Sequence, residues 1–516
     1  MLDSLTYYEN VSIPENKITL QGEDANTTTI HGKWTAEKVV YVTGNYVNVS
    51  GFTVAGSTLY GYEIYVNGDN CNISDNGIAE GGWGIYLSDS DNSIVSRNNI
   101  SVEHINGIVL LRCRDCLVED NNANLNDNSI SLRSSNNNTI TNNIANSYGT
   151  CISLDSSSNN TITNNIVNSN YPKKYYGISL DRSCNNLIAD NDIANLDYYC
   201  IGLDDHSSNN LIADNNIANS YWGIYSSASS NNNTLTNNNA SNNEYGIYSL
   251  YSSNNTINNN SINNNLPDLN SYGICLLSTS TNNIITENTI TNNEYGMYLY
   301  YSGNNEIYHN NFINNNKQAY DHHGFNDWDK GQIIGGNYWS DHNCTGNPSN
   351  GTEPYTKIDT NAGAVDNYPF EDPDGWVKVE EVFDTGYGTY PSIMGNHTGI
   401  IKPNYTVIAT KLYTYPCEGT GGHTEYARIW NKTWNATATW DGYQGDWHNI
   451  TFDKTVVLLA NETYNYTLRT GSYPQIIHEP TWNAAGGTIT CTIFTDANGR
   501  TYTNWIPAFG YPKTTR

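Results

Sequence analysis

Three aspartates, Asp155, Asp181 and Asp204, occupy the same place in successive repeats of the sequence, three residues after a recurring isoleucine. If the repeats stack as neighbouring β-strands, about 4.8 Å apart, the carboxylates would lie about 5 Å from one another. That spacing is close to the separation of the carboxyl pair in a retaining glycosidase, and mutual repulsion would raise one pKa, as an acid catalyst requires. Solvated or cation-bridged aspartates would show the same spacing, and Arg182 beside them would offset their charge. We therefore name three candidates and commit to no catalytic residue.

A column of aromatic residues stands two positions before the same isoleucine. Its members are Tyr176, Tyr199, Trp222, Tyr245, Tyr272 and Tyr295. Rings stacked one per repeat could form a platform for sugar rings or for a partner surface. Residues two apart in a strand share a face, so parity with the inward isoleucine favours rings packed at a bend, as a ladder that stiffens the fold.

The last third of the chain contains a second set of candidates. His423, His448 and His478 are residues of the type that ligates zinc, but surface loop positions are the preferred interpretation, and we commit to no metal site. Cys417 and Cys491 are the only cysteines of this region, which favours a disulfide between them. Cys113 and Cys116 form a single Cys-x-x-Cys motif, a weak signal without a second pair.

The element that must position the aspartates and aromatics is a repeat of about 22–23 residues. Its first apolar column is Ile64, Ile85, Ile108, Ile130, Ile152, Ile178, Ile201, Ile224, Ile247, Ile274 and Met297. A second column in phase with it includes Ile73, Ile94, Val118, Ile140 and Ile162. Short strands with one or two inward apolar residues predict a three-sided coil, and stacked coils bury a continuous core. We predict an all-β chain in which residues 1–320 form a right-handed parallel β-helix.

Asparagine forms the sharpest column, three residues after the second apolar column. The predicted structural ladder comprises Asn121, Asn143, Asn165, Asn191, Asn215, Asn238, Asn260, Asn288 and Asn310, and it extends back to Asn76. Asparagine tolerates the left-handed conformation of a tight turn, and its amide can bond to its equivalent one coil away. In this register Arg97 interrupts the column.

Residues 374–516 lose the repeat and gain tryptophan and tyrosine. Short alternating runs separated by glycine and asparagine turns predict a β-sandwich-like domain there. Residues 321–373, which contain the motif Gly336-Asn-Tyr-Trp-Ser-Asp, are expected to close the helix.

Charge and composition limit the partners and the compartment. The net charge of −28 over 516 residues argues against nucleic acid, which requires clustered Lys and Arg. No apolar run reaches the roughly 18 residues of a membrane span. The start, Met1-Leu-Asp-Ser, does not resemble a signal peptide, so we expect a signal segment that this sequence lacks. Dense Asn-x-Ser/Thr motifs favour export, with glycosylation candidates at Asn48, Asn72, Asn99, Asn396, Asn404, Asn431, Asn449 and Asn461.

Several segments resemble a known family. The opening Tyr7-Tyr-Glu-Asn-Val-Ser-Ile-Pro, the Gly336-Asn-Tyr-Trp-Ser-Asp motif and Asp366-Asn-Tyr-Pro-Phe resemble the archaeal NosD-like β-helix surface proteins, of the carbohydrate-binding and sugar-hydrolase-type β-helix superfamily. The stretch that begins at Trp440-Asp-Gly-Tyr resembles an uncharacterised domain appended to archaeal surface proteins. The family's acidic stretch is replaced here by Asn343-Cys-Thr-Gly-Asn, which argues against a calcium site at that point.

The resemblance does not bring a metal function with it. The family name implies copper delivery, but the chain has three methionines and no Met or His cluster in its coils. We predict no cofactor, and Ca²⁺ is the structural ion that the acidic character would suit.

The rod, the sequons and the lack of a compelling catalytic set favour an extracellular structural glycoprotein. We predict a self-associating surface-layer, adhesive or filament component with no chemistry of its own. The alternative is a polysaccharide-binding or polysaccharide-cleaving protein that uses an outer-face Asp and aromatic site.

Overall fold

A computed structural model describes residues 3–101, 105–168, 176–263, 271–322, 325–360, 363–376, 383–388, 390–391, 393–417, 422–432, 434–443, 445, 447–471 and 474–511. The chain divides into two compact units, residues 1–376 and 377–516. The described residues of both units form strands, turns and loops, and no helix occurs among them.

The first unit is a parallel β-helix of about 14 turns, which confirms the predicted architecture. One of its two parallel sheets contains, in the described residues, the three-residue strands Thr19–Gln21, Asn48–Ser50, Asn72–Ser74, Ile94–Ser96, Leu117–Glu119, Thr139–Thr141, Thr161–Thr163, Leu187–Ala189, Leu211–Ala213, Thr234–Thr236, Thr256–Asn258, Ile284–Thr286 and Glu306–Tyr308. Each strand pairs in parallel with the equivalent strand of the next coil, as Ile188 does with Ile212.

The other two sides of each coil belong to the second sheet. Its strands are Thr6–Tyr7, Val11–Ile13, Thr29–Val42, Thr53–Val66, Gly77–Ala79, Trp83–Ser88, Asn99–Ser101, Asn106–Leu111, Asn122–Arg133, Ile144–Asp155, Ile166–Asn168, Tyr176–Asp181, Asp192–Asp204, Asn216–Ser226, Asn239–Ser241, Tyr245–Leu250, Ser261–Asn263, Tyr272–Leu277, Thr289–Thr291, Tyr295–Tyr300, Asn311–Ile313, Lys317–His322, Tyr338–Trp339 and Asp359–Thr360. In several coils one continuous strand turns the corner, as Asp192–Asp204 does.

The core of the helix consists of stacked aliphatic columns. Ile178, Ile201 and Ile224 are in register and fully buried, as are Ile188 and Ile212 of the opposite side. A coil this narrow cannot bury an apolar side chain alone, so each column is stable only because the coils above and below cover it.

Asparagine amides line one corner of the coil in an unbroken ladder. The amide nitrogen of Asn191 donates to the side-chain oxygen of Asn215 at 3.0 Å and to the backbone carbonyls of Ile162 and Ala189. The backbone N–H of Asn191 donates to the same Asn215 oxygen. Equivalent bonds to the next coil join Asn76, Asn98, Asn121, Asn143, Asn165, Asn191, Asn215, Asn238, Asn260, Asn288, Asn310 and Asn337.

The interruption predicted at Arg97 is wrong. Val95, not Ile94, pairs with Ile73 and points into the core, so the ladder position three residues later is Asn98. Ile94 is partly exposed. The apolar column was counted from the wrong member of an Ile-Val pair, and one residue of shift exchanges the two faces of a strand.

A second asparagine ladder lies two residues before the same inward column. Asn160 donates to the side-chain oxygen of Asn186 and to the backbone carbonyl of Ser135. Its members are Asn138, Asn160, Asn186, Asn210, Asn233, Asn255, Asn283 and Asn305, all buried. The recurring Asn-x-Ile spacing, as in Asn138-Thr-Ile140, was the signal for it.

The closing segment covers the last coil with aromatic rings. The rings of Phe312, Trp339 and Tyr355 stack at 4.3 and 4.0 Å between centroids. The buried Asp366 carboxylate accepts hydrogen bonds from the Trp339 indole at 2.8 Å and from the Asn337 backbone at 2.7 Å. The Gly-Asn-Tyr-Trp motif therefore ends the core and the asparagine ladder together.

The second unit is antiparallel. Its strands are Tyr390–Pro391, Gly395–Pro403, Val407–Thr414, His423–Trp430, Asn435–Thr439, Asn449–Leu458, Tyr464–Gly471, Gln475–Ile477, Thr481–Ala484, Gly487–Asp496, Thr501–Tyr502, Ile506–Pro507 and Phe509–Gly510. Most of them form one half-barrel sheet around a core that includes Ile401, Leu412 and Tyr466. The smaller sheet joins Tyr390–Pro391, Gln475–Ile477 and Ile506–Pro507.

The structure contradicts the predicted bond between Cys417 and Cys491. Cys491 is a buried thiol whose backbone bonds to Pro480, whereas Cys417 follows Pro416, which pairs with Pro474. The strand Gln475–Ile477 lies between these two pairing points, and no sulfur–sulfur bond joins the two cysteines.

Candidate functional site

The aromatic column lies on the outer surface of the β-helix. Tyr245 stacks on Tyr272 and Tyr272 on Tyr295, each with ring centroids 5.1 Å apart, and all three rings are half-buried. The rings stack on one another as in the ladder expected from parity, and each also keeps part of its surface exposed. Tyr245, Gly246 and Ile247 belong to the same strand, Tyr245–Leu250, in which Ile247 is buried and Tyr245 is half-buried.

A second aromatic row follows one residue after the inward column. Tyr225 stacks on Tyr248 at 5.6 Å, and Tyr298 stacks on Tyr320 at 4.7 Å. Cys275 occupies the coil between Tyr248 and Tyr298 and is buried. We call the combined surface the aromatic face: Tyr176, Tyr199, Trp222, Tyr225, Tyr245, Tyr248, Tyr272, Tyr295, Tyr298 and Tyr320.

Tyr199 connects this face to the polar part of the same strands. Its hydroxyl lies 2.8 Å from the Ser179 hydroxyl of the preceding coil. Its ring covers Gly202, because a Cβ there would lie 2.3 Å from the ring. Burial raises the pKa of Tyr199 well above its usual range, so the phenol stays protonated and available as a hydrogen-bond donor.

The three candidate aspartates are in register beside the aromatic face. Asp155 pairs with Asp181, and Asp181 pairs with Asp204. Arg182 reaches Asp155 at 2.8 Å, Asp181 at 3.2 Å and Asp205 at 3.0 Å. Asp204 instead accepts from the Ser227 hydroxyl at 2.6 Å. We call Asp155, Asp181, Asp204 and Asp205 the acidic row.

The members of the acidic row differ in their protonation. Burial and the neighbouring aspartates raise the pKa of Asp181, and one of its buried oxygens accepts no hydrogen bond. Burial also acts on Asp155, but hydrogen bonds from Arg182 and Ser156 outweigh it and lower the pKa. Hydrogen bonds from His206 and Arg182 lower the pKa of Asp205. One guanidinium thus offsets part of the negative charge that these side chains bring together.

A smaller aromatic cluster lies on the earlier coils. Tyr65 and Tyr86 stack at 5.4 Å, and Tyr62 lies 6.1 Å from Trp83. The Lys38 ammonium sits 4.2 Å from the Tyr41 ring and 4.3 Å from the Tyr65 ring. We call Tyr41, Tyr62, Tyr65, Trp83 and Tyr86 the early aromatic cluster. Between it and the aromatic face, Ser131 and Ser153 keep the outer surface polar.

This arrangement suits binding more than catalysis. Aromatic rings with one apolar face exposed and a hydroxyl at the tip suit ligands that are part apolar and part hydroxyl-bearing. The acidic row adds acceptors at one edge, but its carboxylates are already held by Arg182.

The three candidate histidines of the second unit each pack on an aromatic side chain. His423 packs on Trp440 at 4.1 Å and His448 on Trp447 at 4.1 Å. His478 packs on Trp505 at 4.7 Å, in a separate cluster with Tyr502 and Phe494. The part of the chain that the structure describes contains no group of three His, Cys, Asp or Glu side chains that could hold a metal ion.

The glycosylation candidates differ in accessibility. Asn48, Asn99, Asn396, Asn404 and Asn461 are exposed, whereas Asn72, Asn431 and Asn449 are half-buried. Their modification stays a prediction.

The fold and its outer surface define a parallel β-helix protein with a long aromatic ladder. The sequence profile of the family described as periplasmic copper-binding protein (NosD) matches residues 9–199 and 195–344. The chain belongs to this NosD family. No curated protein matches the sequence.

Solved structures of similar fold are distant in sequence. DFA-IIIase from Arthrobacter chlorophenolicus is 12% identical over 57% of this chain and 82% of its own, with a TM-score of 0.36. The Dettilon tailspike protein is 13% identical over 90% of this chain and 87% of its own, with a TM-score of 0.36. The mannuronan C-5 epimerase A-module from Azotobacter vinelandii is 15% identical over 63% of this chain and 90% of its own, with a TM-score of 0.37.

The family description raises the question of copper, and the donor set of this chain does not fit it. Copper sites use thiolate, thioether and imidazole ligands. Cys151 and Cys200 are buried inside the helix, and burial raises the pKa of Cys200 to about 12, so its thiol stays protonated. Met297 is a core residue of the first apolar column.

The described residues include no helix long and apolar enough to span a membrane.

Proposed function

We propose that this protein binds an uncharged polysaccharide along the aromatic face. The observation that carries the proposal is the uninterrupted row of half-buried rings from Tyr176 to Tyr295, one per coil. At about 4.8 Å per coil the row is about 24 Å long, enough for several consecutive sugar units. Contiguous exposed apolar surface rimmed by polar groups is typical of a ligand-binding groove.

The negative charge of the chain favours binding of an uncharged polysaccharide over an acidic one. A net charge of −28, with the acidic row at the edge of the aromatic face, repels a polyanion. A neutral chain carries hydroxyl groups that can donate to Asp204 and to Asp155 without that repulsion. An uncharged polysaccharide is therefore the ligand class that fits this surface.

We propose also that the protein is exported from the cell. The exposed sequons at Asn48, Asn99, Asn396 and Asn461 support it, as does the family's description as periplasmic. Intact-mass measurement of protein from its native source tests it: hexose-containing mass increments at these sites support export, and an unmodified mass together with cytosolic recovery contradicts it.

The experiment for binding uses the full chain and native affinity electrophoresis. Soluble neutral polysaccharides (glucan, mannan and xylan) are compared with alginate and pectate as charged controls. The variant Tyr245→Ala/Tyr272→Ala should lose about tenfold in affinity for the neutral polymer that retards the wild type, since two stacked rings are removed. Tyr387→Ala, at a tyrosine of the second unit that is 75% exposed, is the matched control. Equal retardation of wild type and double variant, or retardation by none of the neutral polymers, would refute the proposal.

Cleavage at the acidic row is the second candidate function. It is favoured by the raised pKa of Asp181 between two carboxylates of lowered pKa, a pattern that suits an acid and a base. Release of reducing ends from the retained polymer, abolished by Asp181→Asn with binding unchanged, would support it. Retention without any release of reducing ends leaves binding as the function.

A further inference from the structure

A cleft of about 530 Å³ opens on the early coils, away from the aromatic face. Its lining includes Trp34, Leu59 and Gly81. Trp34 projects from the long strand Thr29–Val42 at an irregularity in its pairing, with a left-handed φ of 56°, and is 62% exposed. An indole held in the open by a strained backbone is unusual for a residue without a ligand role.

A buried carboxyl group lies beneath the floor of this cleft. Glu63 is fully buried; one of its oxygens accepts a hydrogen bond from the Ser57 backbone at 3.0 Å, and the other has no hydrogen-bond partner. The residue before the inward isoleucine is small in the equivalent coils, as at Gly84 and Gly107. An unsatisfied buried oxygen is costly, so a glutamate here sets this coil apart from its neighbours.

Gly81 lies between this carboxyl group and the cleft. Gly81 lines the cleft with a left-handed φ of 96°, and a Cβ on it would lie 1.9 Å from the Glu63 oxygen that accepts the Ser57 hydrogen bond. The Glu63 carboxyl group therefore occupies the space that a side chain at Gly81 would fill and supports the floor of the cleft from beneath.

A second carboxyl group borders the same cleft with the opposite property. Glu80 is exposed, and its carboxylate lies 3.8 Å from the His31 ring. Burial, with the repulsion of Glu80, raises the pKa of Glu63 to about 8, so Glu63 is protonated at neutral pH.

We propose that this cleft is a second carbohydrate site, which binds one sugar unit between the Trp34 indole and the Glu80 carboxylate, on the floor that the buried Glu63 supports. The inference rests on the proposed function and extends it to the early coils. Tyr62 adjoins Glu63, and Trp83 follows Gly81 by two residues, so the early aromatic cluster begins at the mouth of the cleft. A polysaccharide on that cluster can place one unit in the cleft.

Each side chain has a distinct task. Trp34 stacks on the apolar face of the sugar ring. Glu80 accepts hydrogen bonds from ring hydroxyls as a carboxylate. Glu63 lies beneath the floor and holds the Gly81 segment in place through its contact with Gly81 and its hydrogen bond from Ser57.

The test measures the affinity of the full chain for neutral tetrasaccharides by isothermal titration calorimetry. The tetrasaccharides have gluco, manno, galacto and xylo configuration. For the tetrasaccharide that binds, Trp34→Ala and Glu80→Gln should each weaken affinity about tenfold. Glu63→Gln, which keeps the acceptor for Ser57, should weaken it less than Glu63→Leu. Tyr46→Ala, at a tyrosine that is 53% exposed and outside the cleft, is the matched control.

The outcomes separate this site from the aromatic face. A tetrasaccharide whose binding is weakened by Trp34→Ala and unaffected by Tyr245→Ala/Tyr272→Ala supports the cleft, even if long polymers are not retained. Binding that only the tyrosine variant weakens overturns the cleft and leaves the proposed function in place. Binding of none of the four tetrasaccharides, or unchanged affinity in Trp34→Ala and Glu63→Leu, also overturns the cleft.

Discussion

The guanidinium of Arg182 donates to the carboxylate of Asp155, one coil earlier, at 2.8 Å. The same group lies 3.2 Å from Asp181 and 3.0 Å from Asp205, so one cation joins acids from three coils. All four side chains are about half exposed, and solvent and salt screen these pairs. Arg182 thus occupies the place that a divalent cation would take among these carboxylates.

Arg182→Ala should give the chain a calcium-dependent stability that the wild type lacks. Without the guanidinium, Asp155, Asp181 and Asp205 repel one another, and three carboxylates a few ångströms apart are the oxygen ligands that Ca²⁺ prefers. We expect the thermal midpoint of the variant to be slightly below that of the wild type and to rise on addition of millimolar CaCl₂. Arg182→Lys is the control that keeps the charge. A variant midpoint that does not respond to Ca²⁺ contradicts this account of the acidic row.

Removal of one rung from the first asparagine ladder should strongly destabilise the helix. Asn215→Ala removes the hydrogen bonds of this side chain to the carbonyls of Ile188 and Ala213 and to the side chains of the two neighbouring ladder asparagines. The expected loss is about 2–4 kcal/mol of unfolding free energy, measured by urea denaturation. The control is Asn216→Ala at the exposed neighbouring residue, for which we expect less than about 0.5 kcal/mol.

The sequence predicts the repeat better than it predicts the corners. Identical residues at a constant spacing report inward columns directly, and for this reason the ladder from Asn121 to Asn310 could be assigned without a structure. The register around Ile94 could not, because Ile94 and Val95 satisfy the apolar pattern equally well. Only the pairing of Val95 with Ile73 distinguishes them.

The sites required information that no spacing contains. The partial exposure of the Tyr245 ring, two residues before the buried Ile247 in the same strand, does not follow from the spacing. The environment of Glu63 depends on Gly81, which lies 18 residues later in the sequence. Contacts of this kind are set by the packing of coils and not by local pattern.

Stability should fall between about pH 4.5 and pH 8 because of Glu63. Its pKa is about 8 in the folded chain and near 4.5 when exposed, so the folded state binds the extra proton. The contribution is complete below pH 4.5 and is lost as pH rises through 8, by roughly 2–4 kcal/mol. Asp366, with a pKa raised to about 7 by burial, acts in the same direction. Glu63→Gln should flatten the dependence in part and exceed the wild type in stability at pH 9.

The comparison that tests this is the thermal midpoint of wild type and Glu63→Gln at pH 5, 7 and 9. Glu9→Gln, at an exposed position of the first coils, controls for the loss of one negative charge. Parallel curves for Glu63→Gln and wild type would mean that Glu63 does not carry the proton.

Thiol reactivity should reflect burial in the coils. Cys184 is partly exposed and should react with Ellman's reagent in the native chain, whereas the buried Cys113, Cys151 and Cys200 should react only on unfolding. Cys491 should be alkylated in denaturant without a reductant. Detection by mass spectrometry of a cross-linked peptide that joins Cys417 to Cys491 in a non-reduced digest would contradict this prediction and support the disulfide expected from the sequence.

Gly202 should control the position of the Tyr199 ring and, through it, the binding surface. A methyl group at Gly202 would lie 2.3 Å from that ring, so Gly202→Ala must displace the ring and break the 2.8 Å contact between its hydroxyl and Ser179. Because a side chain can move more readily than a backbone, we expect a loss of about 1 kcal/mol in stability together with a several-fold weaker affinity for the neutral polysaccharide. A double-mutant cycle isolates the cause: in the background of Tyr199→Ala, the change Gly202→Ala should have little further effect on either quantity, since the ring that it displaces is already absent. Additive effects in the cycle would show that Gly202 acts through the backbone of its own strand.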